Sequence, residues 1–189
     1  MLNDFSGSPK VLSQVIMAAQ NNGREIALLT GKSSAGFLSN ITKQHHFYFY
    51  KRFNNKMGTL FSFVASQMHL FFKLLRYRKK DSIIYVNTML PFGAALFGKF
   101  FNKPVYYHIH ETSISPAGLK QFLRFMVQIT ASKIVFVSNA VKNLEPFKNI
   151  DQEVIYNAVS EDFTKKYLVE HYGDLGEQAQ TGLVDFFTL

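Results

Sequence analysis

The chain alternates between segments with apolar residues at helical spacing and short runs of strand-forming residues. Helices are predicted where apolar side chains recur every three to four residues, at about 9–22, 56–77, 92–101, 115–130 and 139–144. Strands are predicted at short apolar runs that end in polar or turn residues, at 25–30, 47–50, 82–86, 104–110, 133–137 and 153–156. Strands separated by helices require crossover connections. The pattern therefore predicts an α/β, Rossmann-like parallel sheet with helices on both faces.

The predicted helix at 56–77 carries more apolar residues than one buried face needs. We expect its core stripe to be Met57, Leu60, Phe61, Val64, Met68, Phe71, Phe72 and Leu75, with Phe63, Leu70 and Leu74 outside it. Basic residues bracket this helix, namely Lys51, Arg52, Lys56, Arg76, Arg78, Lys79 and Lys80. Two interpretations stay open: an interfacial helix on an anionic membrane surface, and a core helix whose cationic C-terminus is favoured by the helix dipole.

Composition narrows the class of protein. A length of 189 residues with 47% hydrophobic residues suits one domain with a real core. The absence of Cys excludes disulfides, Cys zinc sites and thiol nucleophiles. A net charge of +8 indicates an anionic partner. Nucleic acid is not the expected partner, because the charges flank a helix instead of forming a stripe and no nucleic-acid-binding motif is present. A basic nucleic-acid-binding domain is kept as an alternative.

The first loop, residues 4–12, places Gly7 and Ser8 where a loop becomes a helix. Unpaired backbone N–H groups and the dipole at a helix start attract anions such as phosphate. Ser8 is predicted to be the N-cap of this helix and Pro9 its first helical residue, and the alternative to an anion site is that the loop is only an ordinary N-cap and tight turn. The loop is not GxGxxG, and no acidic residue follows the next strand, which argues against a dinucleotide-dependent Rossmann enzyme.

The segment 108–116, HIHETSISP, ends a predicted strand. Side chains alternate along a strand, so His108 and His110 are expected on one side. His110 and Glu111 fall at the C-terminal strand end, where ligands bind in parallel α/β sheets. A His there hydrogen-bonds a sugar hydroxyl or a phosphate. A metal site is disfavoured because no further ligand cluster is apparent, and a simple capped strand end stays an alternative.

Two more strand ends carry small polar residues on the same predicted edge. Asn87 and Thr88 follow one strand, where they either bind substrate or make a turn. Ser138 follows another strand, where it either lines the site or caps the next helix. These residues complete the predicted ligand-binding edge.

Four segments, taken in order, resemble the N-terminal domain of family 4 glycosyltransferases, which are retaining GT-B enzymes that use nucleotide sugars. They are DFSGSPKVLSQVI, the stretch 85–111, KIVFVSNAVKNL at 133–144 and VIYNAVSEDF at 154–163. The resemblance implies an acceptor-binding Rossmann-like domain over 1–163, the N-terminal half of a GT-B fold, followed by a tail at 164–189. Two positions depart from the family pattern, since Ala158 replaces a Gly and Ser160 an Asp.

The resemblance also implies roles. His110 would be the active-site histidine near the transferred sugar, Gly7 and Ser8 would lie near a phosphate, and Glu111 and Ser138 would line the same cleft. The ligands would be a glycan or lipid-linked acceptor and, in the full-length enzyme, a nucleotide sugar donor, with no tightly bound cofactor. Such enzymes build cell-surface polysaccharide or lipopolysaccharide in the cytoplasm or at the inner face of the membrane.

The family's central first strand and its donor-binding domain have no counterpart in the sequence. We therefore expect the chain alone to be inactive, or to be a non-catalytic binding module from a split or degraded transferase gene. Residues 182–189 have a strand-like pattern, and one hypothesis is that they fill the place of the first strand. They would do so within the chain, or in a neighbour by strand swapping in a homo-oligomer.

Overall fold

Helices and strands follow one another in the predicted order in a computed structural model that describes residues 3–32, 35–111 and 114–157. The helices are α1 (Gly7–Asn21), α2 (Lys56–Leu74, followed by a 3-10 turn at Leu75–Tyr77), α3 (Phe92–Phe100), α4 (Ala117–Thr130) and α5 (Asn139–Leu144). The strands are β1 (Ala27–Gly31), β2 (Gln44–Tyr48), β3 (Ile84–Asn87), β4 (Val105–Ile109), β5 (Lys133–Phe136) and β6 (Asp151–Val154). Of the predicted strands, β2 and β6 lie a few residues earlier than expected.

All described strand pairs are parallel, and they form two sheets of order β1-β2 and β3-β4-β5-β6. In the described part of the chain no backbone hydrogen bond joins β1 to β3. In a doubly wound sheet, the strand that comes first along the chain lies between the second and the fourth. Here β1 and β3 occupy the places of that second and fourth strand. The break between the two sheets therefore falls at the place of the first strand that the sequence analysis expects to be missing. Residues 182–189, proposed to fill that place, and the predicted domain boundary at 163 lie outside the described residues.

Alternation along β3 divides the core between the two faces of the sheet. Ile84 and Val86 pack into the main core with residues of α2, α3 and α4. Tyr85 packs instead against a smaller cluster made of Leu12 and Ile16 on α1, Leu28 on β1 and Leu38 in the loop after β1. Since neighbouring side chains on a strand point to opposite faces, α1 covers the face opposite to α2, α3 and α4. This confirms the predicted fold with helices on both faces.

The predicted core stripe of α2 is wrong, because the helix is rotated relative to its apolar pattern. Leu70 and Leu74, predicted to lie outside the core, are only 2% and 6% exposed, and Phe63 is half-buried. Of the predicted stripe only Phe71 and Leu75 pack against the core. The other six side chains are between 48% and 78% exposed: Met57, Leu60, Phe61, Val64, Met68 and Phe72.

Polar residues fill the buried face of α2, and hydrogen bonds satisfy them. The side-chain oxygen of Gln67 accepts a hydrogen bond from the backbone N–H of Gly93 in α3 at 3.0 Å. The hydroxyl oxygen of Ser62 accepts one from the backbone N–H of Lys51 at 3.0 Å, and Ser66 donates to the carbonyl of Phe63. A hydrogen-bonded polar group is tolerated inside a protein. This face of α2 is therefore buried, although its polar residues are of the kind usually found at a protein surface.

A glycine lets α3 approach this face closely. A Cβ atom on Gly93 would lie 2.9 Å from the carbonyl carbon of Gln67, which is inside van der Waals contact. The rotation of α2 is therefore fixed by a backbone contact as well as by hydrogen bonds.

Within the described residues, no helix is both long enough and apolar enough to cross a bilayer.

Candidate functional site

Polar side chains from β3, β4 and the start of α1 meet at one edge of the sheet. The strands are parallel with Asn87 opposite His108, so their C-terminal ends lie side by side. Tyr85, Asn87 and His108 share the sheet face that α1 covers, because Tyr85 packs against the α1 cluster and the other two match it in alternation and register. His110 follows directly after β4, which brings it to the same place.

A hydrogen-bonded chain joins three of the predicted site residues. The side-chain nitrogen of Asn87 donates to Ser8 Oγ at 2.7 Å and to the Ser8 carbonyl at 3.3 Å. A carbonyl only accepts, so the Asn87 amide is oriented with its NH₂ towards Ser8 and its oxygen towards His110. His110 Nε2 lies 2.9 Å from that oxygen. The Nε2 atom of His110 therefore carries a proton and donates it to Asn87.

The His110 imidazole is neutral at physiological pH. Burial lowers its pKa from 6.5 to about 4. A neutral imidazole has one protonated and one unprotonated nitrogen. Since Nε2 holds the proton, Nδ1 has a lone pair and accepts hydrogen bonds. The arrangement suits recognition of a hydroxyl donor, whereas an imidazolium would instead donate from both nitrogens.

His108 lies beside His110, with ring centroids 4.3 Å apart, as alternation along β4 predicts. The hydroxyl of Tyr85 lies 2.7 Å from His108 Nδ1. Burial, with a smaller contribution from the neighbouring His110, lowers the pKa of His108 to about 4. Burial also raises the pKa of Tyr85. Both imidazoles are therefore uncharged and pack without repulsion. Sequence reasoning missed Tyr85, although its alternation with Asn87 was a usable signal.

Glu111 fixes the loops of the site through its carboxylate. One oxygen accepts a hydrogen bond from the backbone N–H of Met89 at 3.0 Å, and the other from that of His110 at 3.2 Å. Burial raises the pKa of Glu111, while these bonds and one from the Thr88 side chain oppose the rise. The carboxylate thus ties the turn after β3 to the turn after β4, which positions His110.

Thr88 forms the turn after β3 with an unusual backbone conformation. Its φ of 80° lies in the left-handed region, which is costly for a β-branched residue. Its backbone N–H donates to the carbonyl of His108 at 2.8 Å, and its hydroxyl oxygen accepts from the N–H of Leu90 at 3.3 Å. Together with Glu111, these bonds hold the strained residue in place. Such strain is concentrated at functional sites.

Helix α1 starts one residue before Ser8, so the prediction that Ser8 is the N-cap is wrong. Ser6 occupies the cap position, and Asp4 accepts hydrogen bonds from its N–H and hydroxyl. Ser8 lies in the first turn, where its hydroxyl is used by Asn87. The backbone N–H groups in the first turn of a helix have no partner within the helix. In α1 these groups belong to Gly7 and Ser8, because Pro9 has no backbone N–H.

The remaining predicted residues lie apart from this cluster. Ser138 caps α5, its hydroxyl oxygen accepting from the N–H of Val141 at 3.2 Å, and no described contact joins it to His110. The seven basic residues of the predicted anionic surface are all exposed: Lys51, Arg52, Lys56, Arg76, Arg78, Lys79 and Lys80. Among the residues that the structure describes, no three His, Asp or Glu side chains form a group suited to a metal ion.

The fold is similar to that in the crystal structure of Anabaena Alr3699/HepE in complex with UDP. The TM-score is 0.55 at 18% sequence identity, over 89% of this chain and 48% of that chain. The likeness shows a shared Rossmann-like α/β fold, and this chain spans about half the length of HepE. No protein-family model and no curated protein matches the chain.

Proposed function

We propose that this chain is the N-terminal, acceptor-binding domain of a family 4 GT-B glycosyltransferase. It binds a glycan or a lipid-linked sugar acceptor at the edge formed by β3, β4 and α1. The reaction is retaining transfer of a sugar from a nucleotide sugar to an acceptor hydroxyl, in the synthesis of cell-surface polysaccharide or lipopolysaccharide. Four ordered sequence segments and the fold shared with a UDP-bound protein support this assignment.

The observation that carries the proposal is the hydrogen-bonded chain from Ser8 through Asn87 to His110. It holds the imidazole in one tautomer, and its low pKa keeps it neutral. Sugars present hydroxyl groups, and Nδ1 of His110 accepts a hydrogen bond from one of them. The first-turn N–H groups of α1, at Gly7 and Ser8, favour a phosphate of the donor or of a lipid-linked acceptor.

Sugar transfer also requires a nucleotide sugar donor. The donor nucleotide is proposed to bind a second domain, as GT-B enzymes enclose both substrates between two halves. We therefore expect the 189-residue chain to bind acceptor sugars without turning them over. A role as a binding module alone makes the same prediction for the isolated chain, and activity of a longer polypeptide separates the two.

Ligand-observed NMR on the chain tests the proposed site. Panels of simple glycosides, sugar 1-phosphates and nucleotide sugars are compared for the wild type, His110→Ala and His69→Ala. His69 is the matched control, because its Nδ1 accepts a hydrogen bond from the backbone N–H of Phe49 and no described contact joins it to His110. Loss of one neutral hydrogen bond is worth about 0.5–1.5 kcal/mol, so His110→Ala should weaken sugar binding roughly 2- to 10-fold.

Three results would contradict the proposal. The first is sugar binding that His110→Ala leaves unchanged. The second is equal weakening by His69→Ala, which would show a general loss of structure. The third is binding of generic DNA with strong salt dependence and no binding of any sugar, which would favour the nucleic-acid alternative.

A further inference from the structure

Two phenylalanine rings are in contact beside the start of α1 and are still exposed to solvent. Phe5 lies in the loop before α1 and is 70% exposed, and Phe37 lies in the loop after β1 and is 37% exposed. Their ring centroids are 5.2 Å apart and their planes meet at 79°, so the edge of one ring contacts the face of the other. The two rings, called here the aromatic corner, leave most of the Phe5 side chain open for a ligand.

Hydrogen bonds and a close backbone contact fix the two loops that carry the aromatic corner. The carbonyl of Asp4 accepts a hydrogen bond from the backbone N–H of Phe37 at 3.2 Å. The side-chain oxygen of Asn3, a residue only 3% exposed, accepts one from the backbone N–H of Leu38 at 2.9 Å. A Cβ atom on Gly36 would lie 2.7 Å from the carbonyl carbon of Asn3, so the two backbones touch. The backbone under both rings is therefore in place before a ligand binds, which lowers the entropy cost of binding.

The aromatic corner lies on the same edge of the fold as the proposed sugar site. Phe37 follows the C-terminal end of β1, and Phe5 stands three residues before Ser8. The side chain of Ser8 is bonded to Asn87 at the end of β3, and Asn87 is bonded to His110 after β4. Neighbouring strands lie about 4.8 Å apart, so the loops after β1 and β4 are separated by at least two spacings, about 10 Å. One sugar ring is too small to span that distance, whereas two linked rings are long enough.

The chemistry of this end of the edge suits an uncharged sugar. One face of a pyranose ring carries C–H groups, which pack on the electron-rich face of an aromatic ring such as Phe5. Asp4 adds an acceptor in the same loop, because both of its side-chain bonds, from the N–H and the hydroxyl of Ser6, go to Oδ1. Its other oxygen has no hydrogen bond from the described residues, and a carboxylate oxygen accepts from sugar hydroxyls. The negative charge of Asp4 opposes a second anionic group here.

We infer that the aromatic corner is a second sugar subsite, in which Phe5 stacks on the sugar unit next to the one that contacts His110. The inference rests on the proposed function and makes its substrate class narrower. The acceptor has at least two linked sugar units, and the unit on Phe5 carries no charge. A monosaccharide contacts His110 alone, whereas a disaccharide contacts both subsites.

Comparing monosaccharides with disaccharides isolates the second subsite. Ligand-observed NMR measures Kd for methyl glucoside and methyl galactoside, and for maltose, cellobiose and lactose. Phe5→Ala should weaken disaccharide binding roughly 2- to 10-fold, the size of effect that an aromatic contact has, and leave monosaccharide binding unchanged. His110→Ala should weaken the binding of both classes, so the two subsites are told apart.

Two more substitutions test whether the flat face of the Phe5 ring is used. Phe5→Tyr keeps the ring and should keep the disaccharide affinity, whereas Phe5→Leu keeps only an apolar side chain and should weaken it as Phe5→Ala does. Phe125→Ala is the control, because Phe125 is 59% exposed on α4, which covers the opposite face of the sheet. It should change neither affinity. Circular dichroism checks that each variant is folded, which is expected because the replaced side chains are exposed.

A tryptophan reporter observes the subsite directly, because the chain contains no Trp. Phe5→Trp places the reporter in the aromatic corner, and Phe125→Trp places a control on α4. With a saturating disaccharide, the emission of Phe5→Trp should shift to the blue and become less accessible to acrylamide quenching. Neither change is expected with a methyl glycoside, and Phe125→Trp should respond to no sugar.

Four outcomes would overturn the inference. Disaccharide binding that His110→Ala weakens and Phe5→Ala leaves unchanged would remove the second subsite alone and leave the proposed function standing. Equal weakening of both sugar classes by Phe5→Ala would show only a distorted loop before Ser8. Binding of uridine that Phe5→Ala abolishes would assign the aromatic corner to a nucleobase. The absence of binding by every sugar would contradict the proposed function together with this inference.

Discussion

Leu70 and Phe61 make the orientation of α2 testable by stability measurements. They are nine residues apart, which is two and a half turns, so they lie on opposite sides of the helix. Leu70 is 2% exposed and belongs to the main core, whereas Phe61 is 78% exposed. The apolar pattern of the sequence assigns them the other way round. Replacing each by Ala therefore separates the two orientations.

The expected magnitudes differ enough to measure. Replacing a buried Leu by Ala removes apolar contacts and leaves a cavity, at a cost of about 2–5 kcal/mol. Replacing an exposed side chain changes stability by less than about 0.5 kcal/mol. Leu70→Ala should thus lower the free energy of unfolding strongly, while Phe61→Ala should leave it nearly unchanged.

Urea unfolding followed by far-ultraviolet circular dichroism measures both variants against the wild type. The reasoning is refuted if Phe61→Ala is the more destabilising substitution, because the apolar stripe would then face the core. Equal effects would also contradict the structure, since they would place both side chains in similar environments.

Two further predictions concern the helix contact and the histidine pair. Gly93→Ala should lower the free energy of unfolding by about 1–3 kcal/mol, measured by thermal unfolding, because the new Cβ would overlap the Gln67 backbone. Gly118→Ala is the control and should be neutral or slightly stabilising, because a Cβ there meets nothing within 4 Å. Equal effects of the two substitutions would count against the close approach of α3 to α2. In the folded protein the pKa values of His108 and His110 are about 4, compared with their usual value of 6.5. As pH falls, the unfolded chain therefore binds protons before the folded protein does. The stability present above pH 6.5 is thus lost progressively towards pH 4. Urea titrations across this window should show a flatter pH dependence for His110→Gln, and an unchanged slope would contradict the lowered pKa.

The order of elements could be predicted because each helix and strand has a strong local signal. The position of the site could also be predicted from the sequence, because parallel strands bring residues at their C-terminal ends, here Asn87 and His110, to one edge of the sheet. Boundaries were less certain where the strand is polar. β2 begins at Gln44, whose side chain donates to Glu25, and includes His45, which pairs with Thr30 at 2.9 Å. Such partners make polar residues suitable for a strand, and the sequence does not show them.

The orientation of α2 could not be predicted for a related reason. Hydrophobicity ranks Ser66 and Gln67 as surface residues, yet both are buried and hydrogen-bonded. Only the position of α3, with Gly93 at the contact, shows that polar residues are satisfied there. The role of Ser8 is similar, because its bond to Asn87 spans 79 positions of the sequence. Contacts between distant segments are set by the tertiary fold and not by local pattern.

The protonation state of the His110 ring is the most direct test of the proposed site. Long-range ¹H–¹⁵N NMR distinguishes the tautomers, and His110→Gln assigns the signals. The account predicts a neutral ring at neutral pH with the proton on Nε2, and a change at the Nδ1 resonance when an acceptor sugar binds. An imidazolium at neutral pH, a proton on Nδ1, or an Nδ1 resonance that a bound sugar leaves unchanged would contradict it.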